Sequence, residues 1–211
     1  MKNKNKLLEN LGLNIHPTVF GLSVLIILGF VTFTLLNLHQ MGEIFKAIQC
    51  TIAHKAGWFY ILSVNIFLGF SMYLIFSCYG KIRVGGTDAQ PEFSYWAWFS
   101  MLFSAGMGIG LVFYSVAEPI FHYISPPYGV GYSIESAKTA MLFTYFHWGF
   151  HAWGIYAIVA LALAFFGYNR GFPLTIRSAF YPLLGEKIYG PIGNIIDITA
   201  VVATLFGITT S

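Results

Sequence analysis

Ser104-Ala105-Gly106-Met107-Gly108-Ile109-Gly110 places three glycines inside an apolar stretch long enough to cross a bilayer. Each costs a helix interior about 1 kcal/mol relative to alanine. Glycines at i, i+2 and i+4 do not share one packed face, because each two-residue step swings by about 200°. Gly106 and Gly110 make a GxxxG pair suited to close helix contact, but Gly108 lies off that face. The alternative is a helix opened at this point, which hydrocarbon tolerates only where the freed backbone groups face protein or a wet cavity. The pattern therefore predicts a site in mid-membrane.

Composition sets the solvent around that run. The chain is 57% hydrophobic and 9% charged, with a mean hydropathy of +0.70, far from the roughly 25% charged residues of soluble domains. This is an all-α integral membrane composition. The net charge of +3 comes from Lys and Arg scattered between apolar blocks, so no nucleic-acid-binding stripe exists. Cys50 and Cys78 form neither a disulfide framework nor a CxxC pattern. Position 111 is Leu, so the glycine run is not GxGxxG and does not read as nucleotide-binding.

Hydropathy divides the chain into an N-terminal segment, 1–16, and a membrane region, 17–211. Spans are expected at about 17–38, 58–79, 93–116, 139–166 and 192–211, the last reading as cut short at Ser211. The first block lacks a small-residue cleavage site and is followed by further spans, so it reads as a membrane helix rather than a leader. Lys2, Lys4, Lys6, Lys81, Arg83, Arg170, Arg177 and Lys187 fall on one side, and Lys46, Lys55 and Lys138 on the other. The positive-inside rule then puts the N-terminus in the cytoplasm of a multi-pass plasma (inner) membrane protein. Ala117 to Ala137, rich in Pro and Gly, reads as a structured external loop. Gly167 to Pro191 reads as a cytoplasmic connection with a short amphipathic helix around Thr175 to Leu184.

The fourth span carries His147-Trp148-Gly149-Phe150-His151-Ala152-Trp153-Gly154-Ile155-Tyr156. On an ideal helix Trp148, Trp153 and Tyr156 fall within an arc of about 140°, and Gly149 and Gly154 would permit a distortion that turns all three rings to one cavity. An aromatic cage is the physical answer to a quaternary ammonium, which offers no hydrogen-bond donor. By spacing alone, packing is the commoner reading of such a stripe. His147 and His151 at i, i+4 could ligate a metal, as in an intramembrane metalloenzyme that also used His122, but no third ligand shares their face. Glu118, before Pro119, reads first as a carboxylate capping the external loop and second as part of an outer gate. No Ser/His/Asp arrangement and no paired carboxylates occur, so no enzyme class is favoured.

Gly106-Met107-Gly108-Ile109-Gly110-Leu111-Val112-Phe113-Tyr114, then Val116-Ala117-Glu118-Pro119, with the His147 to Tyr156 segment one span later, resembles the betaine/carnitine/choline transporter family. The resemblance covers essentially the whole chain, as the N-terminal portion of such a transporter. It implies part of a LeuT-like inverted-repeat fold, with about five membrane helices here and the third unwound at Gly106–Gly110. It implies a substrate site made by Trp148, Trp153 and Tyr156 together with Ala105, Gly106, Met107, Gly108 and Gly110. Sodium is implied as coupling ion and not a resident cofactor, one ion held in part by carbonyls at Ser104 and Met107 and a second at Thr204, where Ile208 stands in place of the second threonine of sodium-coupled relatives.

Choline-transporting relatives often have an acidic residue at the position of Gly110. Glycine there implies glycine betaine as the substrate, with choline or carnitine as alternatives. The expected activity is uptake of a quaternary ammonium osmolyte by alternating access, with the lipid bilayer as the other partner. The resemblance allows a homo-oligomer among full-length relatives. A chain of four spans and most of a fifth is expected not to transport by itself.

Overall fold

The computed structural model describes residues 15–106 and 108–209. Among these the fold is all helical, and four helical stretches are long and apolar enough to cross a membrane: Pro17–Leu36, Leu38–Phe76, Ile134–Asn169 and Pro191–Ile208. Helix α1, Pro17–Leu36, starts with Pro17 in its first turn, where the missing N–H costs nothing, and the His16 side chain accepts from the Val19 amide at 3.4 Å. It ends at Asn37, whose side-chain amide donates to the Phe33 carbonyl at 2.9 Å.

Helix α2 runs from Leu38 to Phe76. The segment between the first two expected spans is thus helical, because Gln40, Glu43, Lys46, Ala47, Gln49, Ala53 and Lys55 are good helix formers and no proline interrupts them. At 1.5 Å per residue this helix is about twice the thickness of a hydrocarbon core. Its charged first half, with Glu43, Lys46 and Lys55, therefore belongs at or beyond the interface, and the stretch from Trp58 onward is the part suited to crossing.

Helices α3, Tyr95–Gly106, and α4, Ile109–Ile124, occupy the stretch expected as the third span. At about 18 Å and 24 Å, neither crosses a bilayer alone. Helix α4 continues through Pro119 into the segment expected to be loop. Proline deletes only one backbone bond there, and the side chain of Glu118 holds this part of the helix from another direction, as described below. The turn that follows is tight: a Cβ at Gly131 would lie 2.1 Å from the Ile124 carbonyl oxygen, and the Tyr132 amide donates to the Tyr123 carbonyl at 3.0 Å.

Helix α5, Ile134–His147, opens on a capping box in which Ser133 and Ser136 each accept the other's amide, at 3.0 and 2.9 Å. Helix α6, Phe150–Ala164, closes in a π turn over Phe165–Asn169. A 3-10 turn, Ile176–Phe180, leads into the one-turn helix α7, Tyr181–Leu184, a second 3-10 turn, Gly185–Tyr189, and helix α8, Pro191–Thr209.

The described residues pack as two units. One comprises the chain up to Trp58 with Phe172–Gly207, the other Phe59–Gly171. In both, large apolar side chains face outward and polar ones are among the few buried residues: Ser23, Arg177, Ser178 and Asp197 beside Val19, Met41 and Ile188 in the first, Glu118 and Ser136 beside Ala140 in the second. That distribution suits lipid, where an apolar exterior costs nothing.

In the first unit Arg177, 5% exposed, is bonded through Nε to Asp197 of α8. Its other nitrogens donate to the Ile188 carbonyl at 3.2 Å and to Asn194 Oδ1 at 3.1 Å, and its backbone amide donates to Asp197 Oδ1 at 3.1 Å. The loop before α8 is thereby fastened to it. Replacing Asp197 by Ala strands a buried guanidinium and should cost about 3–5 kcal/mol. Thermal melting of detergent-solubilised protein will show this as a large fall in Tm, and the Arg177→Met/Asp197→Leu double variant should recover part of it.

Candidate functional site

Two interruptions in neighbouring helices lie within the second unit. The first separates Gly106 from Ile109. Gly108 sits there in extended conformation (φ −63°, ψ 177°) as the cap of α4, and its carbonyl accepts from the Val112 amide at 3.2 Å. A Cβ on Gly108 would meet nothing within 4 Å, and its φ is negative. Neither backbone strain nor packing among the described residues demands glycine at that position. Ala105 and Gly106 close α3, Gly110 lies half-buried in the first turn of α4, and Met107 lies outside the described residues. The start of α4 presents first-turn N–H groups and a partial positive charge, and the end of α3 presents carbonyls of opposite sign.

The second interruption separates His147 from Phe150. Trp148 leaves the helix (φ −92°, ψ 11°) while its amide still reaches the Thr144 carbonyl at 3.1 Å, and Gly149 is extended (φ −85°, ψ −162°). Here glycine is required. A Cβ at Gly149 would lie 2.7 Å from the Tyr145 carbonyl oxygen. Gly154 serves a different purpose: it is buried, and its Cβ would touch the α2 backbone at Leu68 at 3.4 Å, so it sets how closely α6 approaches α2.

The break redistributes the aromatic stripe. Trp153 and Tyr156 remain partners on α6, with ring centroids 5.8 Å apart. Both are exposed, at 45% and 70%. Trp148 stands with His147 instead, at 5.0 Å, and no ring contact joins it to Trp153 or Tyr156 among the described residues. Its indole Nε1–H donates to Glu118 Oε2 at 2.7 Å.

Glu118 is the centre of this half of the site. It lies on α4, 9% exposed, with His147 Nδ1 at 2.9 and 3.0 Å from its two oxygens and His122 Nε2 at 3.6 Å. The loop-capping reading of Glu118 is therefore replaced by a contact between helices. One signal pointed to it in the sequence: a carboxylate on an apolar helix needs partners, and His122 follows it by one turn. The partners one span later, His147 and Trp148, carried no local mark.

The histidine pair diverges. His147 meets Glu118, whereas His151 Nε2 lies 3.3 Å from Asn65 Oδ1 on α2, and no cluster of three metal-ligating side chains occurs among the described residues. Ser104 is exposed in the last turn of α3. Thr204, on α8 in the other unit, donates its hydroxyl proton to the Ala200 carbonyl at 2.8 Å.

The family model for BCCT, the betaine/carnitine/choline family transporters, matches residues 18–211. The chain belongs to this family. It is 47% identical over 198 residues to the glycine betaine transporter of Acinetobacter baylyi, covering 94% of this chain and 30% of that protein. It is 50% identical over 194 residues to a probable glycine betaine transporter of Desulfitobacterium hafniense, covering 92% of this chain and 39% of that one. An osmo-dependent choline transporter of Acinetobacter baylyi is 42% identical over 197 residues, 93% of this chain and 29% of the relative. The chain thus spans about a third of the length of these relatives. They are transporters, which excludes the metalloenzyme reading.

In this BCCT chain the two glycines at the breaks should respond differently to substitution. Gly149→Ala forces its methyl group against a backbone oxygen and should lower stability by about 1–3 kcal/mol, whereas Gly108→Ala should stay within about 0.5 kcal/mol. Melting curves of the two purified variants beside the unmodified protein will separate them.

Proposed function

We propose that this chain provides part of a secondary transporter for the uptake of a quaternary ammonium osmolyte, with glycine betaine the preferred substrate. The observation that carries the reading is 47–50% identity to glycine betaine transporters over 92–94% of the chain. The trimethylammonium group would be held by Trp148, Trp153 and Tyr156. A cation within about 6 Å of an aromatic centroid is attracted to the ring face, and the 5.8 Å separation of Trp153 and Tyr156 allows one cation to meet both.

The carboxylate would lie along Ala105, Gly106, Met107, Gly108 and Gly110. A glycine such as Gly108, with no neighbour to avoid and no positive φ to accommodate, suits close approach of a ligand to the backbone. In this reading α3 and α4 are two halves of one membrane helix unwound at Gly106–Gly110, the third of about five in a LeuT-like inverted-repeat architecture, and alternating access proceeds around that opening. One sodium would be held by oxygens at Ser104 and Met107 and a second at Thr204, oxygen donors being what a hard cation prefers.

The test is uptake of radiolabelled glycine betaine by the complete gene product carrying this chain, in cells lacking other osmolyte transporters. Trp148→Ala and Trp153→Ala should each raise the KM about tenfold or more, the loss expected for one desolvated cation–π contact. Replacing external sodium by potassium should abolish accumulation, and an excess of unlabelled choline should compete less well than betaine. Unchanged uptake in both tryptophan variants would overturn the cage.

A further inference from the structure

Trp148 occupies a position that its own backbone does not restrain. It lies between two helices, outside regular helical geometry, and its amide is committed to the Thr144 carbonyl. An indole there would sample several rotamers unless something held its far end. The structure supplies one hold, the 2.7 Å bond from Nε1–H to Glu118 Oε2.

That bond is unusually well supported. The carboxylate is buried on an apolar helix, where an unpaired charge is expensive, and both its oxygens are engaged by His147 Nδ1, at 2.9 and 3.0 Å, with the His122 ring on its other side. Histidines one turn along α4 and at the end of α5 thus fix the acceptor, and the acceptor fixes the ring. A donor bonded to a carboxylate is also polarised, which raises electron density in the indole and strengthens the attraction of its face for a cation. A carboxylate behind the ring acts on a cation in front of it without touching it.

We propose that Glu118 is a positioning residue for the substrate site: it holds and polarises the Trp148 indole, and so sets the affinity of that ring for a cationic ligand. The substrate half of this statement rests on the betaine reading above. The hold on the ring does not.

Two measurements on the complete gene product, the first on protein purified in detergent and the second by uptake into cells lacking other osmolyte transporters, separate those parts. The first is the indole N–H band of Trp148 by ultraviolet resonance Raman, taken as the difference between the unmodified protein and Trp148→Phe. Glu118→Ala should move this band to the position of a weaker hydrogen bond. Glu118→Gln, which keeps an acceptor but not the charge, should move it less. If Glu118→Ala does not fold, the Glu118→Gln shift carries the test, since a neutral oxygen is a weaker acceptor than a carboxylate. An unmoved band overturns the proposal.

The second measurement is a double-mutant cycle on the KM for glycine betaine. Glu118→Ala should raise KM about tenfold with a smaller change in maximal rate, but by less than about twofold once Trp148 is already Phe, because coupled residues are non-additive. Equal effects in both backgrounds would assign Glu118 a purely structural role and overturn the proposal. Absence of betaine binding by the unmodified protein would instead refute the substrate reading, and the Raman band would still decide whether Glu118 holds the ring.

Discussion

In hydrocarbon a backbone N–H or C=O that loses its helical partner has no water to turn to, and this constraint governs where the chain leaves helical geometry. Helix α1 runs without interruption from Pro17 to Leu36. The departure at Trp148–Gly149 is short and nearly self-satisfying. At Trp148–Gly149 both amides keep acceptors, in Thr144 and Phe146, and the Gly149 carbonyl accepts again from Trp153 at 3.4 Å. At the start of α4 the Gly108 carbonyl already serves Val112. The Trp148–Gly149 break thus reorients a few residues without stripping a helix of its bonds. That economy allows an aromatic side chain to swing off its stripe while the helices on either side stay intact.

The same solvent removes the usual means of choosing one packing over another. Lipid chains are as apolar as leucine, so burying leucine between helices gains little, and in this chain the apolar side chains are largely outside. Direction comes from polar contacts. Arg177 with Asp197 performs that role in one unit and Glu118 with His147 and Trp148 in the other. Each is a buried charge with several partners drawn from separate elements. Neither gains much net stability from its attraction alone, given the desolvation it entails. Each defines a single arrangement of the elements around it, because any other leaves a charge unpaired.

The glycine run, the membrane class and the aromatic positions were legible in the sequence because they are local patterns of composition and spacing. The family resemblance was equally legible, carried by the glycine run and the His147 to Tyr156 segment. The length of α2 was not. Its first half is polar enough to look like a loop, and only helix propensity without hydrophobic periodicity argues otherwise. Glu118 was misread for another reason: the adjoining Pro119 suggested a loop, yet a proline costs a helix one bond, and the carboxylate had partners 29 and 30 residues away that no local pattern reveals. The Arg177–Asp197 pair, 20 residues apart, escaped in the same way.

The glycines of the fourth span show how one residue type hides several causes. Gly149 and Gly154 looked like joint permission for a distorted helix. Gly149 answers to its own chain, where a methyl group would strike the Tyr145 carbonyl, and Gly154 answers to a neighbour, the backbone of Leu68. Once packing accounts for a glycine, its presence no longer argues for a ligand. Gly108 is different, because among the described residues neither a close contact nor a left-handed φ accounts for it. Gly108 is exposed at the start of α4, and with no described contact to account for it the backbone there is open to close approach. For the proposed substrate site between α3 and α4, Gly108 is therefore a firmer support than the presence of three glycines.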